Sequence, residues 1–224
     1  VWAVVVFLCR YVCPPVTSPR LFVGSVKCVY GTVRQCAASH TRDVNAFDPT
    51  VRHMSTQDLL SPLHSRRSVP SKQLQAPGPD ATTLDRMLQA AVRVPDHGKL
   101  VPFRFLRIQG DDRHAPGEIL AARTLQRDPH APTAAVEKDR ARFSHAPLII
   151  TVVARLTTGH KVPVQEQLLT SGCVCFALLQ SAQALGFGAQ WLTGWAAYDE
   201  VIDQALGLQD HEKVAGFIHI GTPG

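Results

Sequence analysis

One stretch limits the fold of this chain more than any other. Pro147-Leu148-Ile149-Ile150-Thr151-Val152-Val153-Ala154 is a continuous apolar, β-branched run. An alternating strand has one wet face; a run apolar at odd and even positions alike is a strand buried on both faces. Such a strand needs a covering layer on each side. Residues 165–185 can supply one of them. Their stretch 172–179 is apolar nearly all round, which predicts a helix that is central or lies at a subunit interface.

The neighbouring segments complete a layered pattern. Residues 80–94 read as a helix, because Leu84, Met87, Leu88 and Ala91 recur at i, i+3, i+4 and i+7. Asp80 or Thr82 can cap it and Pro95 stops it. Residues 103–108 read as a strand followed by the turn Gly110-Asp111. Residues 116–127 and 133–143 are charged helices suited to the outside. Gly186-Phe187-Gly188 ends the long helix, and residues 189–192 form a short strand. Residues 198–206 form a helix closed by Gly207, and 214–220 a last strand broken by Gly221-Thr222-Pro223. Helices on both sides of a mixed sheet are the expected architecture.

The chain has 224 residues, which suits one domain plus an appendage. Charge and cysteine usage separate the two. Residues 1–53 hold 6 Lys+Arg against 2 Asp+Glu, and the remaining residues 17 against 16. Most of the net charge of +5 therefore lies outside the body. A nucleic-acid site should sit as a basic patch on the folded body, so a nucleic-acid partner is not expected. No apolar run reaches the ~20 residues that span a bilayer, so no membrane partner is expected either. Cys9, Cys13, Cys28 and Cys36 lie in the first segment, with only Cys173 and Cys175 beyond it. The body thus reads as cytoplasmic, with reduced thiols. The four early cysteines form no C-x2-C pair, which speaks against zinc. Met54 is the first methionine, and Ser55-Thr56-Gln57-Asp58 after it resembles a capping box. We expect residues 1–53 to be a poorly ordered arm or to lie upstream of a natural start at Met54, with residues 54–224 as the working domain.

Familiar catalytic signatures are absent. There is no G-x-S-x-G and no P-loop, and Trp191 stands where a third glycine would complete Gly186-Phe187-Gly188 as a dinucleotide fingerprint. Cys173 and Cys175 point about 200° apart on a helix and read as core packing, not as a chelating or redox pair. Three polar clusters remain. Arg66-Arg67-Ser68 offers two guanidiniums and a hydroxyl, which suits a phosphate; it reads equally as a solvated helix end. Arg93-Val94-Pro95-Asp96-His97 puts a cation and an imidazole around a proline stop, or simply makes a helix cap and a loop. Trp191-Leu192-Thr193-Gly194-Trp195 ends a short strand, where ligand loops often lie, or contributes two tryptophans to the core.

Taken in order, these clusters resemble the flavin-dependent nitroreductase family, closest to its small branch of NAD(P)H nitroreductases. Pro102-Phe103-Arg104-Phe105, residues 146–154, His160-Lys161-Val162-Pro163, Gln165-Glu166-Gln167, Gly186-Phe187-Gly188 and Gly221-Thr222-Pro223 extend the match over the body. The resemblance implies an α+β fold with a central mixed, mainly antiparallel sheet flanked by helices, in a homodimer that holds FMN at its interface. It assigns Arg66, Arg67 and Ser68 to the flavin from one subunit, Arg93 and His97 from the other, and Trp191, Leu192 and Thr193 again from the first. Ser181, Ala182, Gln183, Ala184, Leu185 and Gly186 match the stretch assigned to NAD(P)H, although they read equally well as helix core. NADH or NADPH would deliver a hydride to flavin N5 and leave. A small-molecule acceptor (a nitroaromatic, quinone or activated alkene) would then bind the same face, in a ping-pong cycle that needs no protein acid or base. The other reading is a flavin-binding member without turnover. Leu192 stands where close relatives carry Arg, and Phe103 where they carry Trp. The chain stops at Gly224 where the family continues, so a truncated C-terminus is expected.

Overall fold

The computed structural model describes residues 56–224, with side chains from Leu60 onward. The expectations for residues 1–53, for the start at Met54 and for the Ser55 cap lie outside the described residues. The chain order is α1 (Thr56–Ser65), β1 (Leu74–Gln75), α2 (Ala81–Ala91), β2 (Phe103–Gln109), α3 (His114–Arg127), α4 (Thr133–Arg140), β3 (Leu148–Arg155), α5 (Val164–Ala184), β4 (Gly188–Leu192), α6 (Glu200–Ala205) and β5 (Glu212–Pro223).

Strand β3 is central, as its two-sided apolarity requires. It pairs antiparallel with β2 on one side and β5 on the other, and every residue from Leu148 to Ala154 is buried. The far edge of β5 pairs antiparallel with both β4 and β1. Alternation sorts the side chains. Leu148, Ile150 and Val152 join Phe103, Phe105, Ile218 and Ile220 under α2 and α5. Ile149 and Val153 join Leu106, Ile108 and Phe217 under Leu120, Phe143, Ile202 and Leu206 on the other face. The result is the three-layer α+β architecture expected, and each described strand pairing is antiparallel.

A β-bulge interrupts the β3–β5 register between Val152 and Val153. It turns Val214 to the same face as Phe217, and it leaves the Ala215 carbonyl to accept the Trp191 indole N–H at 3.2 Å. A Cβ at Gly216 would run into that indole, so the ring can approach the strand this closely only because this residue is glycine.

Several boundaries move, each for a local reason. Asp80 caps α2, accepting from Thr83 N at 2.7 Å, and the helix closes at Ala91. Helix α3 starts earlier, at His114, with Pro116 in its first turn, where a missing N–H costs nothing. Helix α4 stops at Arg140 and α6 covers only Glu200–Ala205, with Asp199 as its cap. Strand β5 does not break at Gly221-Thr222-Pro223. It runs on because Thr222 and Pro223 pair with Gln75 and Leu74, at a sheet edge that tolerates proline. The cysteines divide as well. Cys175 is in the core, where burial pushes its thiol up to about 12, whereas Cys173 is exposed. The stretch 172–179 is therefore not buried all round.

Candidate functional site

Helix α5 organises every polar cluster singled out in the sequence. At its C-terminal end lies the arginine loop. The chain leaves α1 and is tied to the β4 edge by Val69 N, which donates to Ala189 O at 3.0 Å, and by Ser71 N, which donates to Gln190 Oε1 at 2.6 Å. Arg67 N donates to Gln183 Oε1 at 3.3 Å, while Gln183 Nε2 donates to Ser65 Oγ at 3.0 Å. Arg67 folds back on the carbonyls of His64 and Arg66, both at 2.9 Å. Arg66 Nη1 lies 3.4 Å from Ser68 Oγ. Neither guanidinium has a carboxylate partner among the described residues. Two uncompensated cations and a hydroxyl on three consecutive residues form a donor set for an anion.

At the N-terminal end of α5 lies the histidine loop. Thr170 Oγ1 donates to Pro95 O at 3.1 Å. Beyond it, Gly98, Lys99 and Val101 all have positive φ, at 73°, 53° and 50°. A β-branched residue in that region is strained and persists only where its surroundings over-determine it. Asp96 does so, accepting from Leu100 N at 3.2 Å and Val101 N at 2.8 Å. His97 Nδ1 then meets Glu166 Oε2 at 2.6 Å, with both side chains open to solvent. Glu166 sits in a motif that the sequence had left without a role. Its partnership spans 69 positions, so no local pattern reveals it.

Between the two ends runs a groove of about 620 Å³, lined by Arg93, Pro95, Leu169, Cys173, Phe176 and Gln180 among others. Leu169 is 61% exposed and Phe176 45%. Glu166 and Gln183 are about 25 Å apart along the helix at 1.5 Å per residue. One protomer therefore brings Arg66, Arg67 and Ser68 together at one end of α5 and holds His97 on Glu166 at the other, while Arg93 lines the groove between them beside Cys173 and Gln180.

Strand β4 starts beside the arginine loop at Ala189 and Gln190 and carries the Trp191 cluster toward the middle of α5. Trp191 is anchored to the bulge, with its ring edge 3.9 Å from a Cβ placed at Gly172. Leu192 and Thr193 follow, half-buried. In the segment 181–186, Ser181 lines the groove and its Oγ donates to Ala177 O at 2.7 Å, Ala182 is fully buried, the Gln183 amide holds α1, and Ala184 and Gly186 are exposed.

The model of the Nitroreductase family matches residues 63–222. The chain belongs to the nitroreductase family. A curated nitroreductase relative from Escherichia coli (strain K12), named "Putative NAD(P)H nitroreductase YdjA", is 36% identical over 166 residues, covering 74% of this chain and 88% of the relative. Among solved nitroreductase structures, the nitroreductase-like family protein from Bacillus cereus superposes with a TM-score of 0.64 at 17% identity, covering 76% of this chain and 88% of that one. A nitroreductase from Desulfovibrio desulfuricans, solved in complex with FMN, superposes with a TM-score of 0.58 at 22% identity over the same shares of the two chains.

Proposed function

We propose that residues 54–224 form an FMN-dependent NAD(P)H oxidoreductase that works as a homodimer and reduces nitroaromatic, quinone or activated-alkene acceptors. One observation carries this reading: two uncompensated guanidiniums beside Ser68 lie at one end of α5, an imidazole lies at the other, and a groove lined by Arg93 and an exposed apolar stripe runs between them. A dianionic phosphate needs two or more cationic donors, and Arg66, Arg67 and Ser68 fit it. A flat ring needs apolar walls, which Trp191 and the stripe supply. A second copy laid antiparallel along α5 would bring its Arg93 and His97 to the first copy's arginine loop, and would bury Leu169 and Phe176.

When bound, the flavin supplies the hydride chemistry, accepting from NADH or NADPH and passing two electrons to the acceptor. The chain's residues do the rest. Arg66, Arg67 and Ser68 bind the phosphate end. Arg93 favours the more negative, reduced cofactor. Glu166 occupies His97 Nδ1, so His97 meets its ligand through Nε2. Leu192 and Thr193 line the site beside Trp191. Residues 181–186 position the arginine loop through Gln183, and NAD(P)H uses the open face of the flavin. A reducing, cytoplasmic setting suits the free thiols of Cys173 and Cys175.

The test is the visible spectrum of the purified protein before and after anaerobic NADPH. A flavin spectrum that bleaches supports the enzyme. A flavin spectrum indifferent to both NADH and NADPH would favour a binding protein without turnover. A colourless protein that takes up no added FMN would overturn the reading.

A further inference from the structure

The segment after β4 is slung between two indole anchors on opposite faces of the sheet. Trp191 Nε1 donates to Ala215 O on the α5 face. Trp195 Nε1 donates to Asp139 Oδ2 at 3.3 Å on the α3/α4 face. The ladder to β5 ends at Leu192, opposite Phe217, so residues 193 and 194 have no strand pairing to hold them.

Asp139 is 7% exposed. It takes donors from three directions: Thr124 Oγ1 of α3 at 2.8 Å, Arg142 Nε and Nη2 at 3.2 and 2.6 Å, and the Trp195 indole. The grip extends to the loop backbone. Gly194 has φ +62°, and a Cβ there would sit 2.6 Å from Arg142 Nη1. Arg127 covers the Trp195 ring with its guanidinium carbon 4.8 Å from the centroid. Burial alone would raise the Asp139 pKa, but the bonds from Arg142, Thr124 and Trp195 outweigh it and hold the carboxyl below its ordinary value. The group is thus an ionised acceptor at neutral pH.

Packing alone does not call for this arrangement. Helix α3 already meets the segment after α4 through Leu120 and Phe143 in the core, and α4 itself through the Arg140–Glu118 ion pair on the surface. Trp195 is the donor that belongs to the loop. Its indole N–H therefore links loop position to the Asp139–Arg142 pair and adds little to the helix layer.

We propose that Asp139 is a positioning residue for the cofactor: by gripping Arg142 and Trp195 together, it fixes residues 192–194 in the place from which Leu192 and Thr193 meet the flavin. This inference rests on the flavin reading above. It says that the cofactor's fit is set partly from the sheet face away from α5, by a carboxylate that never touches it.

The test compares full-length wild type with Asp139→Asn, Asp139→Glu and Trp195→Phe. Trp195→Phe removes one N–H and keeps a ring under Arg127, so it carries the test if Asp139→Asn fails to fold. Amide exchange of residues 192–197 without cofactor should quicken roughly tenfold in both disrupting variants. The FMN dissociation constant should rise by a similar factor and the bound-flavin spectrum should shift, with Asp139→Glu recovering part of the loss. A merely structural carboxylate would lower the melting temperature and leave FMN affinity and spectrum as in wild type, and that result would overturn the proposal. A wild-type chain that takes up no FMN would instead overturn the flavin reading, and this inference with it; the two failures are told apart by the wild-type control.

Discussion

The two faces of the sheet are finished differently. On the α3/α4/α6 face, several charged groups are held in buried ion pairs. Arg104 grips Glu212 at 2.6 and 2.7 Å, Arg123 grips Asp199 at 3.0 Å, and Asp139 gathers three donors. On the α2/α5 face, apolar side chains stand in solvent, with Leu168, Leu169 and Phe176 all 45% exposed or more. A contiguous apolar patch marks a contact surface, whereas scattered exposed residues need no explanation. The contrast teaches that one face buries its charges in pairs within a single chain, while the other leaves apolar side chains exposed, as the proposed homodimer requires.

The most drastic way to break the contrast is to charge the open face. Phe176→Glu should leave the fold intact and halve the mass in solution, as read by light scattering. An unchanged particle mass would mean that the stripe is not the contact.

The closed face should answer in stability instead. Glu212 is 5% exposed, and its loss strands Arg104. Breaking a buried pair costs about 3–5 kcal/mol, so Glu212→Gln should lower the urea midpoint while the mass of the particle stays the same. Burial raises the Glu212 pKa, but Arg104 outweighs it and the net is below the ordinary value. Its contribution is therefore present above the ordinary carboxylate range and lost as pH falls through the lowered folded pKa.

His219 acts in a higher window. It is 1% exposed and stacked on Phe143, and its Nδ1 has no partner. Burial, with His145 and Arg142 nearby, lowers it from 6.5 to about 4. Between those values the unfolded chain binds a proton that the folded chain refuses, so stability falls as pH drops from 6.5 to about 4. The loss is on the order of 3 kcal/mol. His219→Gln should flatten that slope in denaturation curves taken across the window; a slope that persists would assign it to another group.

Back on the α5 side, Arg66→Ala or Arg67→Ala should weaken FMN about 10- to 100-fold, the loss of one charge-assisted bond of about 1.5–3 kcal/mol. Stability should stay within about 0.5 kcal/mol. Equilibrium titration with FMN checks the first and thermal melting the second. The smallest effect is expected at Glu166→Gln. An exposed pair is worth at most about 1 kcal/mol, so the melting point should hold while FMN affinity shifts by no more than a few-fold. A large loss of stability would show that the histidine loop is a structural brace.

What could be read from the sequence was whatever repeats locally. The apolar run at 147–154 demanded a doubly covered strand, and β3 is one. The stripe of Leu84, Met87, Leu88 and Ala91 demanded a helix, and Asp80 caps it. The colinear motifs from Arg66 to Thr222 pointed to the nitroreductase family, to which the chain belongs. Only the tertiary structure decided which polar group meets which. Glu166 reaches His97 across 69 positions and Trp195 reaches Asp139 across 56, and no periodicity encodes such partners. It also decided that Cys173 faces out while Cys175 faces in, that β1 carries β5 through its Gly-Thr-Pro ending, and that the arginine loop and His97 lie at opposite ends of one helix. Periodicity is a property of the backbone within an element, so a linear pattern expresses it. Partner choice and exposure depend on which surfaces pack together, and those are chosen only once the layers close.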